Sequence, residues 1–152
     1  MPGQPLSGAS DSFYQALQAR VRAWLESEAA HGVPCAALYH HLPELYRFLV
    51  AVALDTRLPT AERGGLVSTL KYIVAPHDYV PEAVLGVPGL CDDLVLAALA
   101  VDRLQRTSNP ELLDEHWHLD SSAQAVAAQI LDAASALVDH SVLRRLEALL
   151  PN

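Results

Sequence analysis

The chain has little of what marks several large functional classes. Its 152 residues hold two cysteines, Cys35 and Cys91, which make neither a disulfide framework nor the CxxC spacing of redox and zinc sites. Lysine occurs once, at Lys71, and the longest basic runs are the pairs Arg20/Arg22 and Arg144/Arg145. Eighteen acids against ten Lys and Arg leave a net charge of −8. Such a chain repels a phosphate backbone, so no nucleic-acid partner is expected, and contact with an anionic membrane surface is disfavoured for the same reason. Long apolar runs are missing too. The richest, Phe48 to Leu54 and Leu94 to Val101, are bounded by Arg47 and Asp55 and by Asp93 and Asp102. A bilayer span takes about 20 apolar residues, so no transmembrane segment is expected. The opening MPGQPLSGASDS has neither the basic start nor the apolar stretch of a signal peptide, and a cytoplasmic location is the expectation. Nine Arg to one Lys, with abundant Ala and Leu, suggests a GC-rich bacterial source. There is no internal repeat, no Gly-x-Ser-x-Gly elbow and no Gly-rich phosphate loop.

What is present is enough apolar residue for a core: 51% apolar against 18% charged. No β-branched run alternates with polar residues, so the fold class expected is all-α. The pattern predicts a compact bundle of five to six helices, with a Pro/Gly-rich loop before an apolar central helix. Residues 1–10 read as a flexible lead and 11–152 as one helical domain. A first helix is expected from Ser10 or Asp11, with Phe13, Leu17, Val21, Trp24 and Leu25 on one face, ended by Gly32 and Pro34. A short helical turn is expected at Cys35 to His40, then a helix from Pro43 to the break at Pro59. A third runs from Thr60 to Val74. Its Gly64–Gly65 pair, at about 1 kcal/mol per glycine, implies a late start or a close neighbour. Three prolines and two glycines interrupt residues 76–89, and Leu90 to Arg106 follows as the central helix, apolar on nearly every side. Residues 107–120 read as a polar turn. Ser121 or Ser122 caps an amphipathic helix to Leu137, and a last helix covers Val142 to Leu150, continuous with it or broken near Asp139.

Three motifs in the middle of the chain carry a family resemblance. They are DTRLPTAER at Asp55 to Arg63, KYIVAPHDYVPE at Lys71 to Glu82, and GVPGLCDDLVL at Gly86 to Leu96. In order and spacing they resemble the YkvA-like family, a small bacterial helical domain of unknown function, over roughly residues 42–103. The likeness lies in an acidic-x-Arg-x-Pro helix exit, a Pro-x-Asp-x-x-Pro-acid loop, and a Gly-x-x-Gly-x-x-Asp-Asp lead into an apolar helix. His77 stands where the family usually has an aliphatic residue, and Glu82 where Asp is usual. The resemblance implies a helical core, taken here as 42–106, and brings no activity with it.

The acids of that loop are the leading site candidates: Asp78, Glu82, Asp92 and Asp93, with His77 beside them. If the flanking helices are antiparallel the acids converge, and such a set suits a divalent metal and a metal-held water. The simpler reading makes Asp78 a helix cap and places Asp92 and Asp93 in a helix's first turn, where the dipole favours negative charge. A second constellation, His31, Cys35, His40 and His41, matches no zinc spacing. In a third, Asp114 to Asp120, His116 and His118 suit a chelate, but a loop pinned to the core by Trp117 is the commoner arrangement. Cys91, beside two acids, is expected to be a small buried residue and not a nucleophile. The expectation that follows is a protein acting through a protein partner or self-association, with no cofactor and no catalysis. A metal-dependent, hydrolase-like site built from His77, Asp78, Glu82, Asp92 and Asp93 is the alternative.

Overall fold

The computed structural model describes residues 5–33, 35–74 and 90–150, with side chains from residue 11 onward. Among them are eight α-helices and no strand, an all-α bundle as the periodicity requires. Helix α1 (Pro5–Leu25) begins upstream of the expected caps at Ser10 and Asp11. Its stripe is as read, with Leu17 and Val21 buried and Phe13, Trp24 and Leu25 packed against the core, and Tyr14 joins them. It ends at Leu25, ahead of the expected stop at Gly32, whose φ of +84° suits a residue without Cβ. Two 3₁₀ turns, Glu28–Ala30 and Ala36–His41, lead into α2 (Leu42–Leu54), with Pro43 in its first turn.

Helix α3 (Thr60–Val74) spans the expected residues. The glycine pair neither delays its start nor, at Gly64, admits a neighbour: a Cβ there would meet nothing within 4 Å. The Pro/Gly-rich stretch 75–89 lies outside the described residues. Helix α4 (Cys91–Thr107) is the centre of the fold. Leu94 to Ala98 have 0% exposure over more than a full turn, so no side of the helix faces water there. It packs chiefly against α2, α3 and two helices of the C-terminal third, Ala123–Asp132 and His140–Leu149.

The C-terminal third departs from expectation in two places. Residues 107–120 are not a simple turn, because α5 (Pro110–His116) forms within them. The Asn109 side chain accepts from the Glu111 N–H at 2.9 Å and Pro110 opens the helix, so the residues that suggested a turn are a helix start. Leu112 and Leu113 then bury its inner face. Ser122 caps α6 (Ala123–Asp132) through the Ala125 N–H. The expected long helix to Leu137 is interrupted at Ala133, giving α7 (Ala134–Leu137), and Asp139 caps α8 (His140–Leu149). These breaks and α5 raise the helix number above the five or six expected.

Candidate functional site

The first turn of α4 places Cys91, Asp92 and Asp93 in succession, and all three are buried; Asp92 is 0% and Asp93 1% exposed. Adjacent carboxylates in an apolar interior are costly unless polar groups meet them. Tyr72 Oη, from the last turn of α3, donates to Asp92 Oδ2 at 2.9 Å. The Asp93 backbone N–H donates to Asp92 Oδ1 at 3.0 Å, which serves one of the N–H groups a helix start leaves over. Tyr39 reaches the same corner from the second 3₁₀ turn. Burial first, then the Cys91 thiol and Asp92, hold its phenol above the ordinary range. Burial and the charge of Asp92 push the Cys91 thiol up to about 11. A thiol in that state is protonated at neutral pH and is no nucleophile.

His77, Asp78 and Glu82 lie outside the described residues, so of the expected acid set the structure describes Asp92 and Asp93. Among the described residues no three His, Cys, Asp or Glu side chains gather as metal ligands do. In the second constellation His31 and His40 are exposed, Cys35 is half-buried, and the His40 and His41 rings stand 3.9 Å apart. His41 Nδ1 is buried with no hydrogen-bond partner among the described residues. Burial first, then the neighbouring His40, lower its pKa to about 4.

A polar centre that sequence reasoning did not assemble lies where α2 meets α5. Asp55 Oδ1 accepts from the Arg57 N–H at 2.8 Å and from Nε at 3.0 Å, and Oδ2 accepts from the guanidinium at 2.7 Å. His116 Nε2 stands 2.8 Å from the same Oδ2. Arg57 also forks onto Glu115, at 3.2 and 2.7 Å. Hydrogen bonds from Arg57, then from His116, hold the Asp55 carboxyl well below the usual carboxylate range. No local signal joins residues 55 and 116; only the packing of α5 on α2 does so. The chelate alternative for His116 and His118 is not what the geometry displays, since His116 faces Asp55 and His118 is exposed. Trp117 is the anchor expected: its ring meets Phe48 edge-on at 5.4 Å, and its Nε1 donates to the Ser121 carbonyl.

A groove of about 450 Å³ opens between α1 and the start of α2, with Val21, Leu25, Pro43 and Leu119 as its apolar lining. Arg22, Glu26, His40 and Glu44 stand around it. Tyr14 Oη donates to Glu44 Oε2 at 2.5 Å, and the Arg47 guanidinium lies 5.2 Å from the centre of the Tyr14 ring. Burial first, then Glu44, raises the Tyr14 phenol pKa.

A family profile described as a protein of unknown function (DUF1232) matches residues 62–99, about a quarter of the chain. The match runs from the first turn of α3 into α4 and takes in Tyr72, Asp92 and Asp93, so this segment is similar to a small domain of unknown function. It bears out the resemblance read from the loop and central-helix motifs. No curated protein and no solved structure matches the chain.

Proposed function

We propose that the protein acts by binding a protein partner or a second copy of itself, without catalysis. The observation that supports this reading is the apolar face of α8. Val142, Leu143, Leu146, Leu149 and the following Leu150 recur at helical spacing; Leu146 is buried, Val142, Leu143 and Leu150 pack half-buried against the core, and Leu149 is left 38% exposed. The corresponding face of α6 is consumed inside the bundle, with Val126, Ala127 and Ile130 buried and the helix packed on α4. An amphipathic helix covered along only part of its stripe is a natural contact surface. No helix among the described residues is long and apolar enough to cross a membrane, and the free cysteines fit a reducing, cytoplasmic setting. The test combines sedimentation velocity over a wide concentration range with in-cell crosslinking, for the natural chain and Leu149→Glu. Mass that rises with concentration, or crosslinks through α8, either one lost in the variant, supports the proposal. A monomer at every concentration, with crosslinks that never include α8, overturns it.

A metal-dependent site is the second reading, and the burial of Asp92 and Asp93 side by side favours it. Carboxylates are seldom this deeply buried, and a bound cation is one way to offset their charge. On this reading His77, Asp78 and Glu82 supply the remaining ligands. Elemental mass spectrometry of dialysed protein, with thermal melts before and after chelation, tests it. Near-stoichiometric metal that is lost in Asp92→Asn supports it, and metal-free protein with an unchanged melt removes it for tightly held ions.

A further inference from the structure

The groove between α1 and α2 carries two charged side chains, Arg22 and Glu26, that the described residues leave unpaired. Arg22, in the last turn of α1, and Glu26, just past its end, stand four residues apart, a spacing at which opposite charges can pair. Neither side chain has an ion pair or hydrogen bond among the described residues. Glu44, which also lines the groove, is already engaged: it accepts from Tyr14 Oη at 2.5 Å and pairs with Arg47 at 3.9 Å. Between these charges lies an apolar floor that includes Val21 and Leu25, with Leu119 left 43% exposed at its edge.

We propose that this groove binds a small amphipathic zwitterion, of the class of apolar α-amino acids and their dipeptides. The guanidinium of Arg22 takes the carboxylate, for which its planar fork is suited. Glu26 takes the ammonium, and the floor takes the apolar side chain. A free anion meets two carboxylates on a chain of net charge −8, and a plain cation leaves Arg22 unanswered; a zwitterion satisfies both signs at once. The volume of about 450 Å³ falls within the range of small-molecule sites.

The test is a heteronuclear NMR titration of the full chain with L-leucine and L-phenylalanine. Three truncated probes accompany them: 4-methylpentanoate, which lacks the ammonium, 3-methylbutylamine, which lacks the carboxylate, and glycine, which lacks the side chain. The expected result is a saturable shift of resonances from Gln18 to Glu26 and at Leu119, with each truncated probe at least about tenfold weaker. Arg22→Met and Glu26→Gln, at exposed positions, should each weaken leucine binding by about the same factor without moving the melting temperature. No shift at these residues overturns the proposal. So does a truncated probe that binds as well as leucine, or equal binding by both variants.

Discussion

The phenol of Tyr72 donates to the carboxylate of Asp92 at 2.9 Å, in a corner where Asp92 has no exposed surface. Removing a partner from a buried charged group costs more than a hydrogen bond is worth on balance, because the group keeps its desolvation penalty. Tyr72→Phe is therefore expected to lose about 1–3 kcal/mol in urea unfolding. A loss too small to measure would show that the Tyr72 hydroxyl is dispensable to Asp92. His41 gives a second prediction at this scale. Its folded value is lowered to about 4, by burial first and then by His40. The ordinary imidazole value is about 6.5, so between the two the unfolded chain takes up a proton that the folded chain refuses. Stability should fall as pH drops through that window and this contribution should level off below it. His41→Gln should flatten the dependence of melting temperature on pH over the same window; an unchanged slope would mean that His41 is not the group responsible. Asp55 acts at lower pH, because its folded value is depressed by Arg57 and then His116. Its contribution is complete above the unfolded value of about 4 and is lost as pH falls below it.

At the scale of elements, the turn from Asp55 to Arg63 shows how a short motif does structural work. Asp55 and Arg57 close the turn on themselves, and Arg63 reaches back from α3. Its guanidinium donates to the carbonyls of Ala53, at 3.0 Å, and Asp55, at 2.5 Å, which are acceptors that the end of α2 leaves over. The acidic-x-Arg-x-Pro pattern is thus a helix-exit device, legible as a turn but not as a cap, since the cap is made across the intervening Pro59. The glycines of α3 teach the opposite lesson. Gly64 sits in a helix, with open space where a Cβ would stand. Gly64→Ala should stabilise the protein by about 0.5–1 kcal/mol, through the freedom the unfolded chain no longer has to lose. A thermal or urea melt checks it, and destabilisation would mean that this glycine is needed for a contact beyond the described residues. Helix α5 escaped the sequence reading because Ser108, Asn109 and Pro110 belong equally to turns and to helix starts. Only the burial of Leu112 and Leu113 distinguishes the two.

For the whole molecule, one contiguous core reaches from Leu17 on α1 to Leu146 on α8, with α4 inside it. The matched segment 62–99 supplies only part of this core, so its apolar surface is completed by helices on both sides. Charge acts at this scale as well. A net charge of −8 on 152 residues repels itself and repels a second copy. Added salt at low ionic strength should raise the melting temperature, and any self-association through α8 should strengthen with it, as screening lengths fall to about 10 Å near 0.1 M. Melts and sedimentation across a salt series test this together. Association that weakens with salt would point instead to a contact made by opposite charges.

The sequence by itself determined the all-α class, the central helix and most helix starts, because these follow from the period of apolar residues and from capping groups a few positions away. The limits of α3, the Ser122 cap and the Trp117 anchor were all readable on those terms. Tertiary structure alone decided which polar groups meet. Residues 55 and 116 share a hydrogen bond across the joint of α2 and α5, and Tyr72 reaches Asp92 across the gap between α3 and α4. It also decided the depth of Asp92 and Asp93, which the dipole of a helix start permits but only packing from several helices can bury. The reason is one of range: periodicity and caps act within a turn or two of the chain, whereas burial and pairing are set by helices that are distant in sequence and adjacent in space.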